Sequence, residues 1–347
     1  MESMSNTPLV SFCMSTYKRG EILYETLMSI KRQTYTNFEV IISDNDTDAS
    51  GKIWVEKLKD VRFKYFTNST NLGMKPSFNK SIERSVGEFI VMIADDDPVY
   101  FDMLETLTNL YNLFPLKGMF MGGCDWFCVD AKTAAFYNMK LGTNSCLSNK
   151  LLYKEVKNFT AEEFLIQFFT FKFFPHYLWS CCMVKKSIIN GFGGTPDYGT
   201  PFLGDYAYMS TMATVNGAVV INKALGCQTL HDSNFGRNQH DQLITVSTNL
   251  PNYFIPKIKN FKGAKEIEKV FFHFLGMAMV SHISFLQAYF KKEKVAVPEL
   301  NEVAKKVFAL PYMKPFLFKY FIKKNYPIAH DLLVKLKKKL KKNKAKI

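Results

Sequence analysis

The stretch FIVMIADDDPVY, Phe89–Tyr100, decides the fold. An apolar run from Phe89 to Ile93 leads into three adjacent carboxylates, Asp95, Asp96 and Asp97, and then into Pro98. A short apolar run that ends on turn residues reads as a buried strand. Three neighbouring like charges repel one another and call for a cation, hydrogen-bond donors or open water. Taken alone, the triplet fits a solvated turn as well as a binding edge. The sequence around it separates the two.

Outward from this run, the first hundred residues alternate. PLVSFCMS reads as a strand and GEILYETLMSIKRQT as a helix, with Ile22, Leu23, Leu27 and Ile30 at helical spacing. FEVIISD, VRFKYFTN and EFIVMIADDD follow as strands, with ASGKIWVEKLKD and KPSFNKSIERSVG as helices between them and YFDMLETLTNLYNLF as a helix after the last. The fold class predicted is α/β, a mostly parallel sheet with flanking helices. Such sheets bind ligands beyond the carboxyl ends of their strands. Those ends carry Thr16, Tyr17, Lys18 and Arg19, then Asp44, Asn45, Asp46 and Asp48, then Asn68, Asn71 and Gly73, and finally the aspartate triplet. Polar groups from four separate segments converge on one edge, which a solvated turn leaves to chance. STYKRGE after the first strand carries neither GxGxxG nor GxxxxGK[ST]. An acidic edge repels a nucleotide diphosphate unless a divalent cation stands between them. Mg²⁺ or Mn²⁺ binds through one or two carboxylates plus phosphate oxygens. The triplet therefore reads as a metal and diphosphate seat.

The 347 residues suffice for one large domain with appendages, or for two domains. Seven cysteines with no CxxC pair fit buried free thiols in a reducing compartment. MESMSNTPLVSF has no basic start followed by an apolar stretch, so no secretory leader and a cytoplasmic location are expected. The net charge is +14, but from Lys314 onward twelve lysines face one acid, Asp331, so that segment supplies +11. The basicity belongs to the tail, and nucleic acid is not an expected partner.

From Pro8 to about Asn222 the chain resembles the family 2 glycosyltransferases, which have a GT-A fold. The resemblance rests on SIKRQTYTNFEVII, on NLGMKPSFNKSIERSVGEFIVMIADDD, and on WSCCMVKKSIINGFGG followed by FLGDYAYM. It implies an inverting transfer from a nucleotide-sugar, with a divalent metal, Mn²⁺ or Mg²⁺. It implies that Thr16 and Tyr17 line the nucleoside pocket, that Asp44 bonds the base, and that Asp95 and Asp97 form a DxD pair. Asp95 lies near the ribose and Asp97 on the metal, with Asp96 between them. Asp205 matches the general base. Arg19, Asn71 and Lys75 complete the expected donor site. His231 is a candidate for the metal or the diphosphate, Arg237 for the diphosphate, and Trp179 for a sugar face. Two positions depart from the family pattern: Gly204 stands where Glu often precedes the base, and Phe78 where Arg is common. The loop SDNDTD is one residue short, so Asp46 and Asp48 read as turn and cap chemistry.

In an inverting reaction an acceptor hydroxyl attacks opposite the diphosphate, so a base must take its proton and the leaving charge must be neutralised. The predicted organisation is a GT-A domain over 1–250, with a nucleotide-binding half at about 8–115 and an acceptor half at about 116–240. A helical extension follows over 251–347. FTAEEFLIQFFTFKFFPHYLW reads as helical core. The apolar stretch Val270–Phe290 has the length of a membrane span, but its His273, Ser281, His282, Ser284 and Gln287 favour a buried helix. In the tail, Leu332, Leu333, Leu336 and Leu340 share a helical face among lysines, which fits either an anionic membrane surface or a solvated end. The activity expected is metal-dependent transfer from a nucleotide-sugar, UDP-linked by expectation, to a glycan or lipid-linked acceptor in surface polysaccharide synthesis. Two alternatives stand beside it. One is a sugar-phosphate nucleotidyltransferase, whose glycine-rich basic signature STYKRGEIL lacks. The other is a non-catalytic membrane-attached binding module, to which Gly204 and Phe78 are open.

Overall fold

A computed structural model describes residues 7–147, 151–231, 234, 239–295 and 297–317. Among these, nine strands form one sheet in the order β3-β2-β1-β4-β8-β5-β9-β7, with β6 paired to β5. The strands are β1 (Val10–Thr16), β2 (Phe38–Asp44), β3 (Phe63–Thr67), β4 (Phe89–Ile93), β5 (Met119–Cys128), β6 (Gly142–Asn144), β7 (Val156–Phe159), β8 (Cys182–Lys185) and β9 (Ala218–Leu230). β1 to β4 are all parallel, and β5 runs parallel to β9. Between them β8 pairs antiparallel to both β4 and β5. The mostly parallel sheet is the one the alternation predicts.

Both faces of the central strands are covered, which is why β2 and β4 are buried at every residue. On one face Phe12, Val40, Val91 and Ile93 meet Leu23, Leu27 and Ile30 of α1 (Glu21–Lys31) and Leu104 and Leu107 of α4 (Met103–Leu113). On the other, Cys13, Ile90 and Met92 join Phe78 and Ile82 of α3 (Met74–Arg84). Alternate residues of a strand point to opposite faces, so one apolar run feeds two cores.

The second core extends into the C-terminal helices. α6 (Ala161–Phe169) begins with a capping box of Thr160 and Glu163 and buries Phe164, Leu165, Phe168 and Phe169. Phe169 touches Phe254 of α9 (Gln242–Ile258) and Phe271 and Phe274 of α10 (Ala264–Lys292), with ring centres 5.2 to 5.4 Å apart. α10 is long and apolar enough to cross a membrane by length and composition. Here it packs on α6 and buries Ile267, Phe271, Leu275, Met279 and Ile283 in the shared core, as its polar residues predict. The aromatic segment differs from expectation in one respect. The helix stops at Phe169, because Phe171 takes a left-handed backbone with φ of 52°. Residues 170–178 then run irregularly to a 3-10 turn at Trp179–Cys181, which leads into β8. The basic tail lies outside the described residues.

At the sheet end opposite the aspartates sits one buried carboxylate, Glu39. Its Oε1 accepts from Ser11 Oγ at 2.7 Å and from the Val86 N–H at 2.7 Å, and its Oε2 meets Lys64 Nζ at 2.8 Å. Gly87 N–H in turn donates to Ser11 Oγ, where a Cβ on Gly87 would stand 2.5 Å from that oxygen. This carboxylate ties β1, β2 and β3 to the turn before β4. Glu39→Ala strands the Ser11 hydroxyl and the Val86 N–H, so it should cost about 2 kcal/mol of stability. Urea denaturation of both proteins measures that loss.

Candidate active site

The carboxyl ends of β1 and β4 lie side by side, since these strands pair in register from Val10 with Phe89 to Met14 with Ile93. That register delivers the loop after β1 to the aspartate triplet. Arg19 Nε lies 3.3 Å from Asp95 Oδ1, and its Nη2 lies 3.2 Å from Asp96 Oδ2. His231, just beyond the end of β9, places Nε2 3.1 Å from the same Asp96 oxygen. Asp97 is different. The Thr229 N–H donates to its Oδ1 at 2.9 Å, and among the described residues no cation and no second donor reaches it. All three aspartates are buried. Burial first, and the Asp96 charge second, push Asp95 up to about 6 against the pull of Arg19. The same two causes hold Asp97 well above the usual carboxylate range.

These side chains open onto a cavity of about 750 Å³. Thr16, Tyr17, Arg19, Asn71, Asp95, Asp96, Asp97, Trp179 and Asp205 all line it, so most of the residues singled out in the sequence meet in one place. Asp205 sits in the first turn of α8 (Gly204–Ala213), where the helix dipole favours a negative charge. Leu203 before it holds a left-handed backbone with φ of 61°, a strained state for a branched residue. Burial nevertheless pushes the Asp205 carboxyl up to about 7, and the Trp179 N–H draws it back only in part. The Trp179 ring packs edge-on against Phe78 at 5.0 Å, which gives an apolar partner to the position where Arg is common.

Two expected site residues, Asp44 and Lys75, lie outside the lining of this cavity. Asp44 does not reach the cavity. It is fully buried, and its oxygens accept from the Asp46 N–H at 2.8 Å, the Gly51 N–H at 3.3 Å and Tyr65 Oη at 2.5 Å. The next residue, Asn45, turns toward the cavity, anchored by its bond to Gly73 O at 3.0 Å and by the Leu72 N–H on its own Oδ1. Lys75 lies in a smaller side pocket with Met74 and Thr195 and is ion-paired to Asp197. Arg237 lies outside the described residues. Asp46 behaves as turn chemistry predicts, accepting from the Asp48 N–H at 3.3 Å. His176 and Gln228 are cavity residues that sequence reasoning left out, and Asn45 stood among the strand-end polar groups without an assigned role. For Gln228 the signal was there, since it lies near the end of a strand parallel to β5.

Among the described residues, no three His, Cys, Asp or Glu side chains converge as a metal cage. The uncompensated, buried Asp97 oxygen nevertheless suits a cation shared with phosphate oxygens, which takes only one or two protein carboxylates.

A family model for glycosyl transferase family 2 matches residues 11–190, just over half of the chain. The chain belongs to glycosyl transferase family 2. Within that family, the GalNAc(5)-diNAcBac-PP-undecaprenol beta-1,3-glucosyltransferase of Campylobacter jejuni is 32% identical over 109 residues, which cover 30% of this chain and 35% of that protein. WfgD of Escherichia coli, a UDP-Glc:alpha-D-GlcNAc-diphosphoundecaprenol beta-1,3-glucosyltransferase, is 29% identical over 89 residues, which cover 26% of this chain and 35% of WfgD. The chain thus spans about a third of the length of these two relatives. Among solved structures, S. aureus TarS 1–349 in complex with UDP superposes with a TM-score of 0.57 at 16% identity, covering 87% of this chain and 81% of that one. At that identity the likeness speaks for the fold.

The raised Asp205 carboxyl has a consequence for stability. The folded state keeps this proton up to about pH 7, while the unfolded chain releases it near the ordinary value of 3.8. Between those values folding binds a proton, so the Asp205 contribution to stability falls as pH rises, and it is fully lost above about 7. Asp205→Asn removes this cost. In metal-free protein its melting temperature should equal that of the parent near pH 4, exceed it increasingly up to pH 7, and keep a constant lead above, as read by scanning calorimetry.

Proposed function

We propose that the protein is a metal-dependent inverting glycosyltransferase that moves a sugar from a UDP-sugar to a hydroxyl of a lipid-linked glycan in surface polysaccharide synthesis. The observation that carries this reading is the contrast within the triplet. Arg19 balances Asp95 and Asp96, while Asp97 stands buried at the cavity without a cation among the described residues. Asp97 would hold Mn²⁺ or Mg²⁺ through its free oxygen. When bound, the metal neutralises charge on the leaving diphosphate.

The chain's own residues divide the remaining work. Thr16, Tyr17, Asn45 and Asn71, which line the cavity, would meet the nucleoside. Arg19 sets one positive charge against Asp95 and Asp96, and so opposes part of the upward push that burial and the Asp96 charge exert on Asp95. His231 positions Asp96 and leaves Asp97 as the metal-facing group. Asp205 accepts the proton of the attacking hydroxyl, and a carboxyl near 7 is poised for that task at neutral pH. The UDP donor and the diphosphate-linked lipid acceptor are supported by the substrates in the name of WfgD. TarS, which shares the fold, has been seen with UDP. A lipid-linked acceptor places the enzyme at the inner face of the membrane, where a lysine-rich tail meets anionic lipid.

Calorimetric titration of UDP into the purified protein, with and without Mn²⁺, tests this. Mn²⁺ should tighten UDP binding by about tenfold or more, and Asp97→Asn should remove that gain. UDP binding indifferent both to metal and to the substitution would overturn the triplet's role as a metal and diphosphate seat. Asp205→Asn should keep UDP affinity and lower sugar transfer by roughly 100-fold or more, read as release of UDP in the presence of acceptor.

A further inference from the structure

We infer that His176 is a specificity residue on the acceptor side of the cavity, exchanging a hydrogen bond with a hydroxyl of an uncharged sugar held beside Asp205. This rests on the glycosyltransferase reading above and adds the class of acceptor. Nothing in the sequence marks His176, because it lies in the irregular segment between α6 and the 3-10 turn. The segment is nonetheless firmly held. Phe174 and Tyr177 on either side are almost fully buried, and the Trp126 ring lies 5.5 Å from the imidazole at 35°. Three residues on, the Trp179 N–H meets the Asp205 carboxylate. The imidazole lines the same cavity as Asp205 and Tyr206.

Two observations mark it as a binding group. First, His176 Nε2 is buried with no hydrogen-bond partner. Buried polar atoms are nearly always partnered, so an orphaned nitrogen on a ring that lines the cavity marks where a ligand hydroxyl can supply the missing bond. Second, the surroundings define that ligand. Burial pushes the imidazole down to about 4, so at neutral pH it offers one donor and one acceptor and no positive charge. The wall around it is apolar and aromatic: Leu178, Trp179, Phe202, Leu203 and Tyr206. The ionisable side chain beside this wall is Asp205, and the group that interacts with it from the triplet, Asp97, is a second carboxyl. A carboxylate or phosphate on the reacting sugar would set a second negative charge against Asp205 with no cation from this wall to balance it. A neutral pyranose instead lays its C–H face on the rings and its hydroxyls on His176 and Asp205.

The test titrates UDP- and Mg²⁺-loaded protein with the methyl pyranosides of glucose, galactose and N-acetylglucosamine, and with methyl glucuronide and galacturonide. Binding is followed by tryptophan fluorescence, since Trp126 packs against the imidazole and Trp179 lines the cavity. At least one neutral pyranoside should bind saturably, and each uronide should bind about tenfold or more weakly than its neutral partner. His176→Phe should weaken the neutral ligand by about tenfold while UDP affinity stays within about twofold, and His176→Gln, which keeps a donor and an acceptor, should recover most of the loss. Uronides that bind as well as neutral sugars, no saturable neutral ligand, or a His176→Phe protein that binds sugar like the parent would each overturn the assignment. The comparison on the unaltered protein holds even if a variant folds poorly. Failure of UDP itself to bind would count against the glycosyltransferase reading instead.

Discussion

Three carboxylates packed at the buried end of one strand set the terms for everything around them. Water cannot dissipate their repulsion there, so the fold must bring positive charge to the spot. It does so through strand order. β1 beside β4 makes the first loop of the chain the nearest neighbour of the triplet, and Arg19 at its tip forks between two of the three aspartates. β9 arrives from the other half of the sheet with His231 and the Thr229 N–H. Sequence positions more than two hundred residues apart are thus joined by one electrostatic demand, and the portion left unmet falls on Asp97.

A site built this way costs stability. Asp95, Asp97 and Asp205 all sit where burial disfavours their charge, and Leu203 holds a backbone state that a branched residue rarely adopts. The offset lies elsewhere, in features with no part in the chemistry. The phenylalanine-rich contacts of α6, α9 and α10 make one continuous core with the sheet, and Glu39 satisfies several strands at the opposite end. Strain gathered at a binding edge and order gathered away from it is the division expected when function constrains part of a fold.

The residues of the first hundred positions were readable because their signals are local. Apolar runs ending in polar turns gave β1 to β4, and the shared edge gave Thr16, Tyr17, Arg19, Asn71 and the triplet. The resemblance added Asp205 and Trp179, which the structure brings to the same cavity. What escaped depended on events that sequence does not carry locally. Whether Asp44 or Asn45 faces the cavity turns on the backbone path of a single short loop. The partner of Lys75 is Asp197, more than a hundred residues on. His176 lies where periodicity has ended, and the antiparallel insertion of β8 is a long-range pairing with no mark in its four residues.

That insertion has a mechanical side. Because β8 bonds to β4 on one edge and β5 on the other, the two halves of the sheet share an unbroken ladder of backbone hydrogen bonds. Two lobes joined like this cannot swing apart about a hinge, as the lobes of many nucleotide-binding proteins do, without tearing the sheet. Entry and exit of substrates therefore fall to the segments that cross the mouth. The glycine- and proline-rich stretch from Gly191 to Leu203 is the clearest of these, since it touches α3 through Thr195 on Asn79 and Asp197 on Lys75 rather than through strand pairing.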